Sequence, residues 1–252
     1  MLEVAGLTVR FGGVTALHDV ELTVPDGSVC GLIGPNGAGK TTLFNCVSRL
    51  VEPTSGSIRF NDTEVLRRRP HEIAQLGIAR TFQHLALIPS LTVRENVMLG
   101  AHHRSRSGFL ASALRLPRTK HEEDAAAHDA DIALQRVHLT ELAGHPASGL
   151  AYGQLKRVEL ARALCETPRL LALDEPASGL SHGEVAELAD LLKQLTQELD
   201  LTLLLVEHHM GLVMKVSDLV AVLDFGRIIA AGPPDQVRND EKVIEAYLGA
   251  AA

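Results

Sequence analysis

The 252-residue chain is 46% hydrophobic and 22% charged, the make-up of a globular protein of one to two domains, which excludes a disordered, collagenous or disulfide-dense chain. Its net charge of −7 argues against a nucleic-acid partner, and 3% aromatics without Trp leave little to stack on single-stranded bases. Cys30, Cys46 and Cys165 form no CxxC pair and read as small buried hydrophobes of a reducing compartment. The N-terminus lacks a signal-peptide pattern and no run of ~18 apolar residues would span a membrane, so the expected location is the cytoplasm.

Val4, Leu7 and Val9 sit near strand spacing, and Val20 to Val24 alternates more cleanly. Pro25-Asp26-Gly27 is a turn. Ser28 to Ile33 is an apolar run short enough to be a buried strand. It ends in a glycine-rich loop, and a helix is expected from Lys40 to about Leu50. After a turn at Pro53–Gly56, Ser57–Phe60 suits another strand, and His71 to Leu99 mixes short helices with a brief strand near Ala79–Phe82. Ala101 to about Gly144 is rich in Ala, His, Arg and Glu and reads as an inserted helical subdomain, with a loop at Pro117–Lys120. Its basic cluster, His102 to Arg106, is either a contact for lipid or acid or a solvated face.

Leu170 to Leu173 is a second buried-strand candidate, ending in Asp174-Glu175-Pro176. A helix at about 183–198, a strand at 201–206 and a helix at 209–216 follow. Short strands at Val220–Leu223 and Arg227–Ala230 and a terminal helix at Glu241–Leu248 complete the chain. Strands alternating with helices predict an α/β fold with a largely parallel sheet.

The strongest motif is Gly34-Pro35-Asn36-Gly37-Ala38-Gly39-Lys40-Thr41, which fits GxxxxGK[ST] between a buried strand and a helix. The glycines let successive N–H groups turn inward, and the helix N-terminus adds to this anion site. Lys40 supplies a point charge near the β- and γ-phosphates of a nucleotide, and the Thr41 hydroxyl can ligate Mg²⁺. Asp174, at the carboxyl end of a parallel strand, lies on the ligand side of the sheet and suits the Mg²⁺ shell. Glu175 beside it is placed to polarise a water aimed at the γ-phosphate. Either carboxylate alone would read as a cap of the next helix; the P-loop favours the nucleotide reading.

Leu150-Ala151-Tyr152-Gly153-Gln154, followed by Arg157 to Leu164, resembles the LSGGQ signature segment and helix of ABC-type ATPases, with Ala151 and Tyr152 in place of Ser and Gly. Phe11 matches that family's adenine-stacking aromatic. Gln83, in Arg80-Thr81-Phe82-Gln83, matches its Mg²⁺- and water-binding glutamine, and His208 its switch histidine. Ser181 and His209 stand where Asp is usual. The resemblance covers the whole chain and is closest to the ATPase subunits of branched-chain amino-acid importers.

It implies a P-loop NTPase (RecA-like) core with an N-terminal antiparallel β subdomain and an inserted α-helical subdomain. Within one domain, 1–100 and 165–252 would form the core and about 101–164 the helical part. It implies catalytic roles for Glu175, His208 and Gln83, and a metal role for Thr41, Gln83 and Asp174. Nucleotide contacts would come from Phe11, from Gly34 through Lys40, Thr41 and Thr42, and from Ala151, Tyr152, Gly153 and Gln154, the last four serving ATP on a second ATPase subunit. The implied partners are that subunit in a homodimer or heterodimer, integral-membrane permease subunits on the cytoplasmic face of the cell membrane, and indirectly a solute-binding protein. The alternatives are a non-transport ABC ATPase, a transporter ATPase for another solute such as urea or lipid, or a nucleotide-dependent interaction module. The apolar run Leu85, Leu87, Ile88, Pro89, Leu91 either faces the membrane partner or fills a small core.

Overall fold

The computed structural model describes residues 1–81, 85–104 and 117–249, except the side chains of 102–104, 117–121 and 248–249. The chain divides into two compact units, Met1–Arg80 with Arg169–Ala252, and Thr81–Pro168.

The first unit holds two sheets. Strands β1 (Leu2–Phe11), β2 (Val14–Val24), β4 (Ser55–Phe60) and β5 (Thr63–Glu64) form an antiparallel sheet of order β2-β1-β4-β5. Both long strands outrun the short runs the sequence suggests. Register shifts between Val4 and Leu7 and between Leu7 and Val9 break the alternation, so one continuous strand reads as fragments.

The second sheet contains β3 (Val29–Ile33), β6 (Ile78–Arg80), β7 (Leu170–Asp174), β8 (Thr202–Val206), β9 (Leu219–Asp224) and β10 (Arg227–Gly232), in the order β10-β9-β3-β8-β7-β6. Its strands run parallel from β9 to β6, and only β10 is antiparallel. Every residue of β3, β7 and β8 is buried, which is why these strands read as unbroken apolar runs.

Helix α1 (Lys40–Val47) buries Leu43, Phe44, Cys46 and Val47 in a core cluster shared by both sheets. It ends before the expected Leu50 because Arg49 takes a left-handed φ of 59°. A smaller cluster, with Ile33, Val213, Val220, Val222, Val237 and Val243, lies under the later helices. All three cysteines are buried and free.

The second unit is helical: α2 (Val93–Met98), α3 (Pro117–Arg136) and α4 (Tyr152–Leu164). Helix α2 packs on both α3 and α4, which places it in this unit although the compositional change begins near Ala101. Pro117–Lys120 are not a loop: they form the first turn of α3, where a proline N–H is not needed. The side chains of the basic cluster from His102 lie outside the described residues.

Returning to the first unit, α5 (His182–Leu199), α6 (Met210–Val216), α7 (Pro234–Arg238) and α8 (Glu241–Gly249) complete the chain. No described helix is long and apolar enough to cross a membrane.

Candidate functional site

Parallel pairing sets the site. Leu32 pairs with Val206, and Asp174 pairs with the same Val206, so β3, β8 and β7 end at one level. Three loops leave the sheet there: Gly34–Gly39 after β3, Asp174-Glu175 at the end of β7, and Glu207-His208 after β8. The carboxyl ends of adjacent parallel strands are where such sheets bind ligands.

The Gly34–Gly39 loop is held by close backbone approaches. Gly34 has φ 147°, and a Cβ there would lie 1.9 Å from the Leu223 carbonyl oxygen. Gly39 has φ 106°, and its Cβ would lie 2.7 Å from the Ala16 carbonyl oxygen. Only glycine fits either place. Gly39 is the N-cap of α1 and offers no side-chain acceptor, so the first-turn N–H groups of α1 stay open to an anion. Lys40 Nζ donates to the carbonyl oxygens of Gly34 at 2.6 Å and Pro35 at 2.9 Å. Burial pushes its ammonium below the usual lysine range, and the charge of Glu175 opposes that shift. Thr41 is exposed and Thr42 half-buried at the mouth of the loop.

Asp174 is 3% exposed. Glu175 takes a left-handed φ of 48° and its N–H donates to the Val206 carbonyl at 2.9 Å. Its Oε2 lies 3.8 Å from Nδ1 of the exposed His208. The hydroxyl of Thr41 and the carboxylate of Asp174 are hard oxygen donors, the type that Mg²⁺ takes together with phosphate oxygens. No cluster of three or more His, Cys, Asp or Glu suited to a metal occurs among the described residues.

Glu207 was not among the sequence candidates. Its carboxylate is 1% exposed and gathers three backbone N–H donors: Ala177 at 2.8 Å, His208 at 3.0 Å and His209 at 3.1 Å. It thereby laces the loop carrying His208 to the turn after Glu175. The available signal was an acidic residue closing an otherwise apolar strand.

The two unusual residues in this unit act as helix caps. Ser181 Oγ accepts from Glu184 N at 3.4 Å, while Glu184 Oε2 accepts from Ser181 N at 2.8 Å, a reciprocal cap of α5. His209 Nδ1 accepts from Leu212 N at 3.3 Å at the start of α6. His209→Ala is expected to lower unfolding free energy by about 1 kcal/mol, and His209→Asp to restore it. Urea denaturation of the two variants checks this; equal stability of the parent and the Ala variant would remove the cap.

Phe11, at the end of β1, is 53% exposed. In the helical unit, Ala151 is the N-cap of α4 and makes no side-chain cap bond; Gln154 Oε1 accepts from its N–H at 3.0 Å. The N–H groups of the first turn, around Gly153, thus meet no capping hydroxyl. Tyr152 is 44% exposed, with Lys156 Nζ 5.8 Å from its ring centre. Gln83 lies outside the described residues.

A family described as ABC transporter matches residues 17–178, and one described as branched-chain amino acid ATP-binding cassette transporter matches 227–252. The chain is 44% identical to the high-affinity branched-chain amino acid transport ATP-binding protein BraF of Pseudomonas aeruginosa, across 100% of this chain and 98% of that protein. It is 41% identical, with the same coverage, to LivG of Escherichia coli, which carries the same description. Among solved structures, the ADP conformation of MJ1267, an ATP-binding cassette of an ABC transporter, superposes with a TM-score of 0.86 at 30% identity, over 99% of this chain and 98% of that one. The dimeric structure of MJ0796, a bacterial ABC transporter cassette, gives 0.77 at 25% identity, over 93% and 99%.

Proposed function

The chain belongs to the ABC transporter family as an ATP-binding, ATP-hydrolysing cassette, and we propose that it powers an importer of branched-chain amino acids. The observation that carries this reading is the match of the C-terminal residues 227–252, beyond the nucleotide motifs, to the branched-chain amino acid family. The full-length similarity to BraF and LivG supports it.

In this reading the triphosphate lies on the Gly34–Gly39 loop and the N-terminus of α1. Lys40 leaves the carbonyls of Gly34 and Pro35 for the β- and γ-phosphates, and Phe11 stacks on the adenine. Thr41 and Asp174, together with Gln83, would hold Mg²⁺, and Thr42 would contact the nucleotide. When bound, the cation neutralises phosphate charge. Glu175 takes a proton from the attacking water, and His208, 3.8 Å from Glu175, bonds the γ-phosphate.

Two ATPase subunits pack head to tail, and the Ala151–Gln154 segment of each faces the nucleotide on the other; the similar MJ0796 cassette is itself dimeric. Ala151 has no hydroxyl to offer, so the N–H groups around Gly153 carry that contact. Permease subunits hold the pair on the cytoplasmic face of the membrane and a solute-binding protein delivers the cargo. Reconstitution with permease subunits in proteoliposomes tests this: leucine, isoleucine or valine with the binding protein should raise ATP turnover. Stimulation by a different solute class, with none by these, would overturn the assignment.

Ile88 is 43% exposed, and Leu85, Leu87 and Leu91 are half-buried. Buried Asn96 fixes this loop: its Oδ1 accepts from Ile88 N at 2.7 Å and its Nδ2 donates to Ile88 O at 3.0 Å. An apolar side chain displayed on a pinned loop suits a protein contact. Ile88→Glu should leave the melting temperature and the ATPase rate of the isolated chain unchanged and weaken capture of the permease subunits at least tenfold. Normal capture by the variant would move the contact elsewhere.

A further inference from the structure

Arg80 closes β6, beside β7, and its guanidinium points at the site rather than into solvent. Nη2 lies 3.3 Å from Asp174 Oδ2. Nη1 donates to Asn45 Oδ1 at 2.6 Å and to Ser48 Oγ at 3.2 Å, and Cζ sits 4.4 Å from the centre of the Phe44 ring. The side chain is 12% exposed and that of Asp174 4%. Burial pushes the guanidinium down from the usual arginine range, and Asp174 opposes that shift.

Asn45 is in α1, the helix that opens with Lys40 and Thr41, and Ser48 is its C-cap. One planar fork therefore spans the gap between Asp174 and the helix that carries Thr41. A carboxylate on a buried strand end and a hydroxyl on a helix can share one small octahedral cation only when their separation is fixed, because Mg²⁺ tolerates little departure from its geometry. A lysine ammonium is a point donor and does not reproduce two diverging arms.

We infer that Arg80 is a positioning residue: by tying the Asp174 carboxylate to α1, it sets the affinity of the nucleotide site for its divalent cation. The inference rests on the proposed role of Asp174 as a cation ligand. It adds a determinant absent from the nucleotide motifs themselves, three residues before Gln83 in the chain. The residue acts through Asp174 and touches neither nucleotide nor metal in this account.

The test uses Mn²⁺ as the probe, titrated into the full chain in excess over a non-hydrolysable ATP analogue, with free Mn²⁺ read by electron paramagnetic resonance. Affinity for the same analogue in EDTA is measured separately. Arg80→Lys keeps the charge and loses the fork; it should raise the half-saturating Mn²⁺ about tenfold, roughly one such hydrogen-bonded contact, and leave the EDTA value unchanged. Asn45→Ala removes the shorter of the two bonds at the α1 end and leaves the one to Ser48; it should give a smaller loss, with the double variant no worse than Arg80→Lys alone.

Unchanged Mn²⁺ affinity in Arg80→Lys, losses that add in the double variant, or a parallel loss of nucleotide affinity in EDTA would each overturn the inference. Asp174→Asn separates the two layers. If it binds Mn²⁺ like the parent, the assignment of Asp174 fails. If it loses Mn²⁺ while Arg80→Lys keeps it, only the positioning role fails.

Discussion

Glu175→Gln is expected to slow ATP hydrolysis by about 10²- to 10⁴-fold, the range a positioned general base supplies, while ATP still binds. The substitution is close to isosteric, and Gln meets the same backbone demand as Glu at the φ of 48°. The amide still reaches toward His208, whose Nδ1 lies 3.8 Å from the present Oε2, but it does not accept a proton from water at neutral pH. In the proposed pairing, bound MgATP should then persist between the Lys40–Thr41 end of one subunit and the Ala151–Gln154 end of the other. The isolated variant should sediment as a monomer without nucleotide, as a dimer with MgATP, and as a monomer again once nucleotide is removed. A variant with parental turnover would remove Glu175 from its role. A slow variant that stays monomeric at high concentration would assign closure of the pair to the permease subunits.

Lys40→Ala should reduce ATP affinity by roughly 30-fold to several-thousand-fold, the equivalent of about 2–5 kcal/mol for a buried charge that loses its hydrogen-bonding partner. The P-loop backbone would persist, because its shape follows from Gly34 against the Leu223 carbonyl and Gly39 against the Ala16 carbonyl rather than from the lysine. Lys40 bonds the carbonyls of Gly34 and Pro35, and contact with phosphate oxygens would exchange these two neutral acceptors for charged ones. Isothermal titration of the variant, alongside its melting temperature, distinguishes a lost phosphate contact from a lost fold. Parental affinity in a folded variant would sink the assignment of Lys40.

Much of this was legible in the sequence wherever the determinant is contiguous. The P-loop is one run of eight residues, from Gly34 to Thr41, whose chemistry depends on its own glycines, lysine and hydroxyl. The runs before Gly34, before Asp174 and before Glu207 are unbroken and apolar because β3, β7 and β8 are covered on both faces. Strands buried on both faces and alternating with helices suit a parallel α/β sheet, so the fold class followed from the same residues. The signature segment was recognisable as a motif, and the helix that begins at Tyr152 carries it.

Where periodicity is broken locally, the sequence was a poorer guide. The bulges in β1 shift its inward residues between faces, so one ten-residue strand looked like scattered apolar positions. Pro117 read as a loop residue because proline both breaks helices and begins them, and only its place at the first turn of α3 distinguishes the two. Ser181 and His209 looked like departures from a functional pattern. In the structure both are helix N-caps, a role that accepts several side chains with an oxygen or a bare nitrogen.

The sequence by itself determined the glycine-rich loop between strand and helix, the two acidic residues at a strand end and the α/β class, because each rests on neighbours in the chain. Only the tertiary structure decided which strand ends lie side by side. The order β3-β8-β7 brings Lys40, Glu175 and His208 to one level through pairings that separate β3 from its nearest partner by some 170 residues, from Val29 to Leu203. Pairing of β6 with β7 set Arg80 beside Asp174, and pairing of β7 with β8 brought the Ala177 N–H to Glu207, whose other two donors, His208 and His209, are its chain neighbours. An arginine or a glutamate acquires such a role from the partners that folding supplies, and a buried charge persists only where those partners exist.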